Sequence, residues 1–148
     1  MLAMEIFASP LETSSAISVV LIVPNQREVV LRTLECLRAQ TVRDRMEILL
    51  FGPSMAVLET LREDLAGFGG YQLVAWNRMR NMAAARGEAF RIARTPLLAH
   101  AEDHCFPEPG WAEAFIQAFA SAAEGSIPAA AGPLMVNANP HSRWSWAA

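Results

Sequence analysis

Short apolar runs alternate along the chain with stretches of helical period. Ile17 to Asn25 (ISVVLIVPN) is a continuous β-branched run closed by proline, the pattern of a strand buried on both faces. From Arg27 to Thr41 the apolar positions Val30, Leu34 and Leu37, continued by Val42, recur every three to five residues and predict a helix. Met46 to Gly52 (MEILLFG) predicts a second buried strand, stopped by Gly52-Pro53. Ser54 can then cap a helix reaching about Phe68, which Gly69-Gly70 ends. Tyr71 to Trp76 is a third strand, a helix follows around Met82 to Arg94, and Pro96 to Asp103 (PLLAHAED) is a fourth strand. Pro109-Gly110 leads into a helix from Trp111 to about Ala123, with Phe115, Ile116 and Phe119 inward, and IPAAAGPLMV is a weaker strand candidate. Met1 to Ser15 keeps no period and reads as a flexible tail, which leaves 16–148 as one domain.

Buried strands joined by helices need crossover connections, which are right-handed, and therefore a mainly parallel sheet. The expected architecture is α/β: a Rossmann-like three-layer α/β/α sandwich. Such sheets bind ligands beyond the carboxyl ends of their strands, so the loops that matter are Pro24 to Arg27, Gly52 to Ser54, Asn77 to Asn81 and Glu102 to Pro109. No GxGxxG follows the first strand and no GxxxxGK[ST] occurs, which argues against a dinucleotide dehydrogenase and a P-loop NTPase.

Composition narrows the classes further. With 148 residues, 53% hydrophobic and 18% charged, the chain can fill one ordinary core. No apolar run approaches the roughly 20 residues of a membrane span, and the first residues lack the basic start and apolar middle of a secretory signal. Two cysteines, Cys36 and Cys105, make no disulfide framework or zinc pattern, and a reduced, cytoplasmic setting is expected. A net charge of −3 argues against a broad basic face for nucleic acid. The arginines at 78, 80, 86, 91 and 94 read either as a solvated helix face or as anchors for a small anion.

The richest chemistry lies at Glu102-Asp103-His104, at the end of the fourth predicted strand. If strand alternation persists that far, Glu102 and His104 share one side and Asp103 takes the other. Carboxylate plus imidazole suits Mn²⁺, and Mg²⁺ through carboxylates and water. The same triplet also reads as a polar loop whose acids cap the next helix or meet solvent. His100, two positions earlier, reads as a core or supporting histidine rather than a ligand. Cys105 lacks the partners of a nucleophile, Cys36 falls on an apolar helix side, and Glu108 reads as a helix-entry residue. Trp111 reads as packing its helix onto the sheet, with a sugar-pocket wall as the alternative.

The segments SVVLIVPN, LRTLECLRAQT and EILLFGPS, then AAARGEAFRIARTPLLAHAED and PEPGWAEAF, together resemble the family 2 glycosyltransferases of the GT-A fold. The resemblance covers about Ile17 to Pro133 and lies in the order and spacing of the segments. It implies a nucleotide-sugar donor and a divalent metal, Mn²⁺ or Mg²⁺, with inversion by direct displacement at the anomeric carbon. Glu102 takes the place of the first Asp of the family's DxD and His104 that of the last, so both are implied metal ligands. Pro24 and Asn25 would border the nucleoside, Arg86 would lie near the diphosphate, and Glu102 and Asp103 are implied donor-binding residues as well. Three departures stand out: Phe51-Gly52-Pro53-Ser54 replaces Asp-Asp-Gly-Ser, His104 replaces a carboxylate, and Gly87 stands where Asn is common. The chain also ends at HSRWSWAA, before the acceptor half that carries the family's catalytic base, so the base is unknown. Trp144 and Trp146 near that end imply either a truncated chain or contact with a partner subunit or a second copy. A degenerate, non-catalytic GT-A-like domain, binding nucleotide weakly or serving assembly, is the alternative function.

Overall fold

The computed structural model describes residues 4–23, 27–76, 81–121, 130–134 and 141. Five strands form one sheet: β1 (Met4–Ala8), β2 (Ile17–Ile22), β3 (Met46–Gly52), β4 (Gly70–Trp76) and β5 (Leu97–His100), in the order β1-β4-β3-β2-β5. All neighbouring pairs are parallel except β1 with β4. The helices are α1 (Arg27–Arg38), α2 (Met55–Glu59), α3 (Met82–Ile92) and α4 (Trp111–Ala120).

The strands are buried on both faces because two cores use alternate residues. Ile17, Val19 and Leu21 of β2 and Ile48 and Leu50 of β3 join Leu34, Leu37, Leu58 and Ala112, a core that includes residues of α1, α2 and α4. The opposite residues, Val20, Leu49, Phe51 and Val74, pack with Ala85 and Ala89 of α3. The order of strands explains this split. From β2 the chain steps through β3 to β4, then crosses back to β5 on the other side of β2. A right-handed crossover in the reversed direction puts α3 on the opposite face. The point of reversal lies between β2 and β5.

The expected flexible tail over 1–15 is corrected at Met4–Ala8, which forms the antiparallel edge strand β1, registered from Met4 opposite Trp76 to Ala8 opposite Gln72. Four of its five side chains are exposed, so burial leaves no alternation to read, and main-chain pairing holds the strand. Phe7 stacks on Tyr71 with ring centroids 6.1 Å apart, and the Arg62 guanidinium lies 4.1 Å from the centre of the same ring. The helix expected from Ser54 to Phe68 is divided. Ser54 does cap α2, accepting from the Val57 amide, but the Thr60 hydroxyl and amide both turn onto the Val57 carbonyl. A separate 3₁₀ turn covers Arg62–Leu65. Gly69 is needed for close approach: a Cβ there would collide with the Asp44 carbonyl oxygen and Ser15 Oγ.

α3 stops at Ile92 because Arg94 is drawn to a buried carboxylate. Glu47, at the amino end of β3, is fully buried. It accepts from Ser18 Oγ (2.5 Å), Gln72 Nε2 (2.9 Å), the Arg94 amide (3.0 Å) and Arg94 Nε (2.6 Å). Arg94 also donates to the Ser9 carbonyl, so one network ties β2, β3 and β4 to the residues following β1 and α3. Burial pushes the Glu47 carboxyl up, but these hydrogen bonds outweigh it and hold the group below its ordinary value.

Candidate functional site

The carboxyl ends of β2 and β5 flank the reversal of strand order, where an open α/β sheet forms its ligand crevice. β5 ends at His100, and the Ala101 amide still bonds the Val20 carbonyl at 3.0 Å. Strand geometry therefore does not persist to Glu102, and the alternation expected there gives way to a turn in which the Cys105 amide bonds the Glu102 carbonyl at 3.2 Å. The turn gathers all three polar side chains instead of splitting them. One ligand atom from each of Glu102, Asp103 and His104 lies within 4.8 Å of the others. Asp103 Oδ1 and His104 Nδ1 are 2.7 Å apart, and the Asp103 and His104 side chains are 21% and 72% exposed.

Arg86 joins this group from α3. Asn81 caps that helix through the Ala84 amide (2.8 Å), and the second turn presents Arg86 to Glu102, with Nη2 2.6 Å from Oε1. The carboxylate and guanidinium are 47% and 38% exposed, so both can exchange partners with water or a ligand. His100 lies edge-on to Phe90, centroids 5.5 Å apart. Burial first, then the Arg86 charge, lowers its pKa from 6.5, which keeps it neutral at pH 7 and fits a supporting role.

The donor set fits a divalent cation chemically: two carboxylates and an imidazole are the mixed oxygen and nitrogen donors that Mn²⁺ accepts. Glu102, Asp103 and His104 are the residues that would hold such an ion.

Thr33 of α1 and Gln40, just beyond that helix, support the loop, and the sequence pattern did not single them out. Buried Thr33 Oγ1 lies 2.7 Å from the Asp103 carbonyl oxygen and 2.9 Å from that of Cys105. Gln40 donates to the Glu108 carbonyl at 2.8 Å and accepts from the Ala112 amide at 2.9 Å. A signal was available: Thr33 and Gln40 are seven apart and share the stripe of Leu34 and Leu37, so polar side chains fall among apolar ones on that side. Glu108 enters α4 through its carbonyl, which the Trp111 amide bonds at 2.9 Å. Trp111 packs against the main core and edge-on to Phe115, at 5.1 Å. Cys36 and Cys105 are free and half-buried, and burial first of all raises the Cys105 thiol, which suits no nucleophile.

Pro24 and Asn25 lie outside the described residues, as do Arg78, Arg80, most of the loop from Asn77 to Asn81, and Trp144 and Trp146. Only 130–134 of the last strand candidate is described, and these residues form no strand. Among the described residues no helix is long and apolar enough to cross a membrane.

The mainly parallel sheet, with α3 the one helix among the described residues on its second face and a polar loop at the strand reversal, defines a Rossmann-like α/β domain. A sequence profile described as Glycosyl transferase family 2 matches residues 18–145, and the chain belongs to that family. Among solved structures it is similar to the mannosyltransferase PcManGT from Pyrobaculum calidifontis, a structure in complex with GDP-Man and Mn²⁺. The TM-score is 0.57 at 19% identity, over 79% of this chain and 35% of that one. The fold is thus GT-A, and this chain spans about a third of that protein's length. No curated protein matches the sequence.

Proposed function

We propose that the chain provides the donor-binding site of a glycosyltransferase, holding a nucleotide-diphosphate sugar and a divalent cation, Mn²⁺ or Mg²⁺. One observation carries this reading: Glu102, Asp103 and His104 converge at the strand reversal of a family 2 domain, with Arg86 beside them. Glu102 and His104 hold the cation, and Asp103 lies beside them toward the diphosphate. Arg86, released from Glu102, turns to the diphosphate through charge-assisted hydrogen bonds. When bound, the cation neutralises charge that develops on the departing diphosphate. Pro24 and Asn25 border the nucleoside. Transfer is by inversion: the acceptor oxygen bonds the anomeric carbon as the bond to the diphosphate breaks, and its proton passes to a base outside the residues named here. The two free cysteines accord with a reduced, cytoplasmic setting.

A specific feature favours a second reading, a non-catalytic domain that binds nucleotide weakly or serves assembly. Phe51 and Gly52 stand where the family carries acids, and here Phe51 is buried against the α3 core while Leu58 packs over Gly52. Calorimetric titration of GDP and UDP, with Mn²⁺ and with EDTA, separates the two. The donor-site reading expects metal-dependent binding that Glu102→Ala and His104→Ala abolish. A folded protein that binds neither nucleotide would favour the non-catalytic domain.

A further inference from the structure

The chain between β5 and α4 carries the acid-rich turn, yet it is not itself part of a helix or strand. Its order must come from contacts, and α1 and the residues just after it supply them at two separated places. Thr33 engages the carbonyls of Asp103 and Cys105, while Gln40, with the Thr41 amide on the Pro109 carbonyl (2.9 Å), engages the far end. Thr33 lies in the second half of α1, while Gln40 and Thr41 lie just beyond its last residue, Arg38, so the two contacts are separated along the chain. The segment is a strap fixed at both ends.

The two fixings differ in what they orient. Gln40 binds beside the entry to α4, remote from the acids in sequence. Thr33 binds the peptide of Asp103 itself and the carbonyl two residues on, so its single hydroxyl proton is shared across the turn that displays Asp103 and His104. With the Asp103 and Cys105 carbonyls drawn toward α1, the backbone of the turn that displays these side chains is held in place. Thr33 is fully buried and touches no ligand position, so it acts only through the peptide groups it holds.

We propose that Thr33 is a positioning residue for the Glu102-Asp103-His104 cation site, and this rests on the cation reading above. Loss of an outer hydrogen bond that orients metal ligands weakens metal affinity by about 10-fold or more. The test measures Mn²⁺ binding to the 148-residue chain by electron paramagnetic resonance, without nucleotide, beside circular dichroism and thermal melting. Thr33→Val keeps the shape and removes the hydroxyl, Thr33→Ser restores it, and Gln40→Leu loosens the other end of the strap.

The expected result is weaker Mn²⁺ binding in Thr33→Val, recovery in Thr33→Ser, and wild-type affinity in a less stable Gln40→Leu. Wild-type affinity in folded Thr33→Val, with Glu102→Ala inactive in binding, overturns the positioning role and leaves the cation site standing. Equal losses in Thr33→Val and Gln40→Leu also overturn it, because strap integrity alone would explain both. If Thr33→Val does not fold, Thr33→Ala takes its place, and failure of both to fold refutes a role confined to positioning. A wild-type chain that binds no Mn²⁺ removes the cation reading and this proposal together.

Discussion

Replacing Glu47 by alanine removes the acceptor shared by Ser18, Gln72 and Arg94 at the amino end of the sheet. The carboxylate is fully buried, so its partners lose a charge-assisted acceptor that water cannot simply replace. Breaking one side of a buried ion pair costs about 3–5 kcal/mol. Arg94 is 30% exposed and can recover water, and Ser18 keeps Thr95, so the lower end applies. At about 3 °C per kcal/mol for a chain of this size, the melting temperature should fall by roughly 10 °C at pH 7. The sign with pH follows from the depressed carboxyl. Its contribution is complete above the unfolded value of 4.5 and drains away as pH falls through the lower folded value. Melting curves of wild type, Glu47→Ala and Glu47→Gln should therefore converge in acid and separate toward neutrality. A Glu47→Ala melting point within about 3 °C of wild type at pH 7 would refute the claim that this network holds the sheet together.

Gly69→Ala should cost about 1–3 kcal/mol, because its methyl has only backbone and Ser15 to displace, and urea denaturation would read the loss. Arg86→Ala should change stability by no more than about 1 kcal/mol, since its pair with Glu102 is exposed. The same variant should weaken nucleotide binding in calorimetry, and unchanged nucleotide affinity would remove Arg86 from the donor site. Alkylation of Cys105 by iodoacetamide, followed by mass spectrometry, should stay slow at pH 8 and accelerate only above 9.0, in the direction burial shifts it.

Elements with a burial signature were legible in the sequence. Met46–Gly52 forms as predicted because every residue of it is buried, and Ser54 caps where its position before an apolar stretch suggested. β1 was hidden because an exposed edge strand has no buried face to imprint a period. The acid turn was located correctly but its geometry was not, since alternation holds only while the ladder continues, and the ladder ends at His100. Long-range polar contacts were the other blind spot. Nothing local relates Thr33 to Asp103, 70 residues away, or Glu47 to Arg94, 47 away. A buried polar residue in an apolar pattern announces that a partner exists without naming it.

Mn²⁺-induced broadening of backbone amide signals, recorded by NMR as the ion is added in small portions, tests the central claim most directly. The account predicts that the amides of Glu102 to Cys105, with those around Arg86, lose intensity first. Signals around Glu47, at the opposite end of the strands, should persist longest. Broadening that begins elsewhere, for instance at Asp44, Glu63 and Asp64, or that spreads evenly over the chain, would contradict a cation site at the β2–β5 crevice.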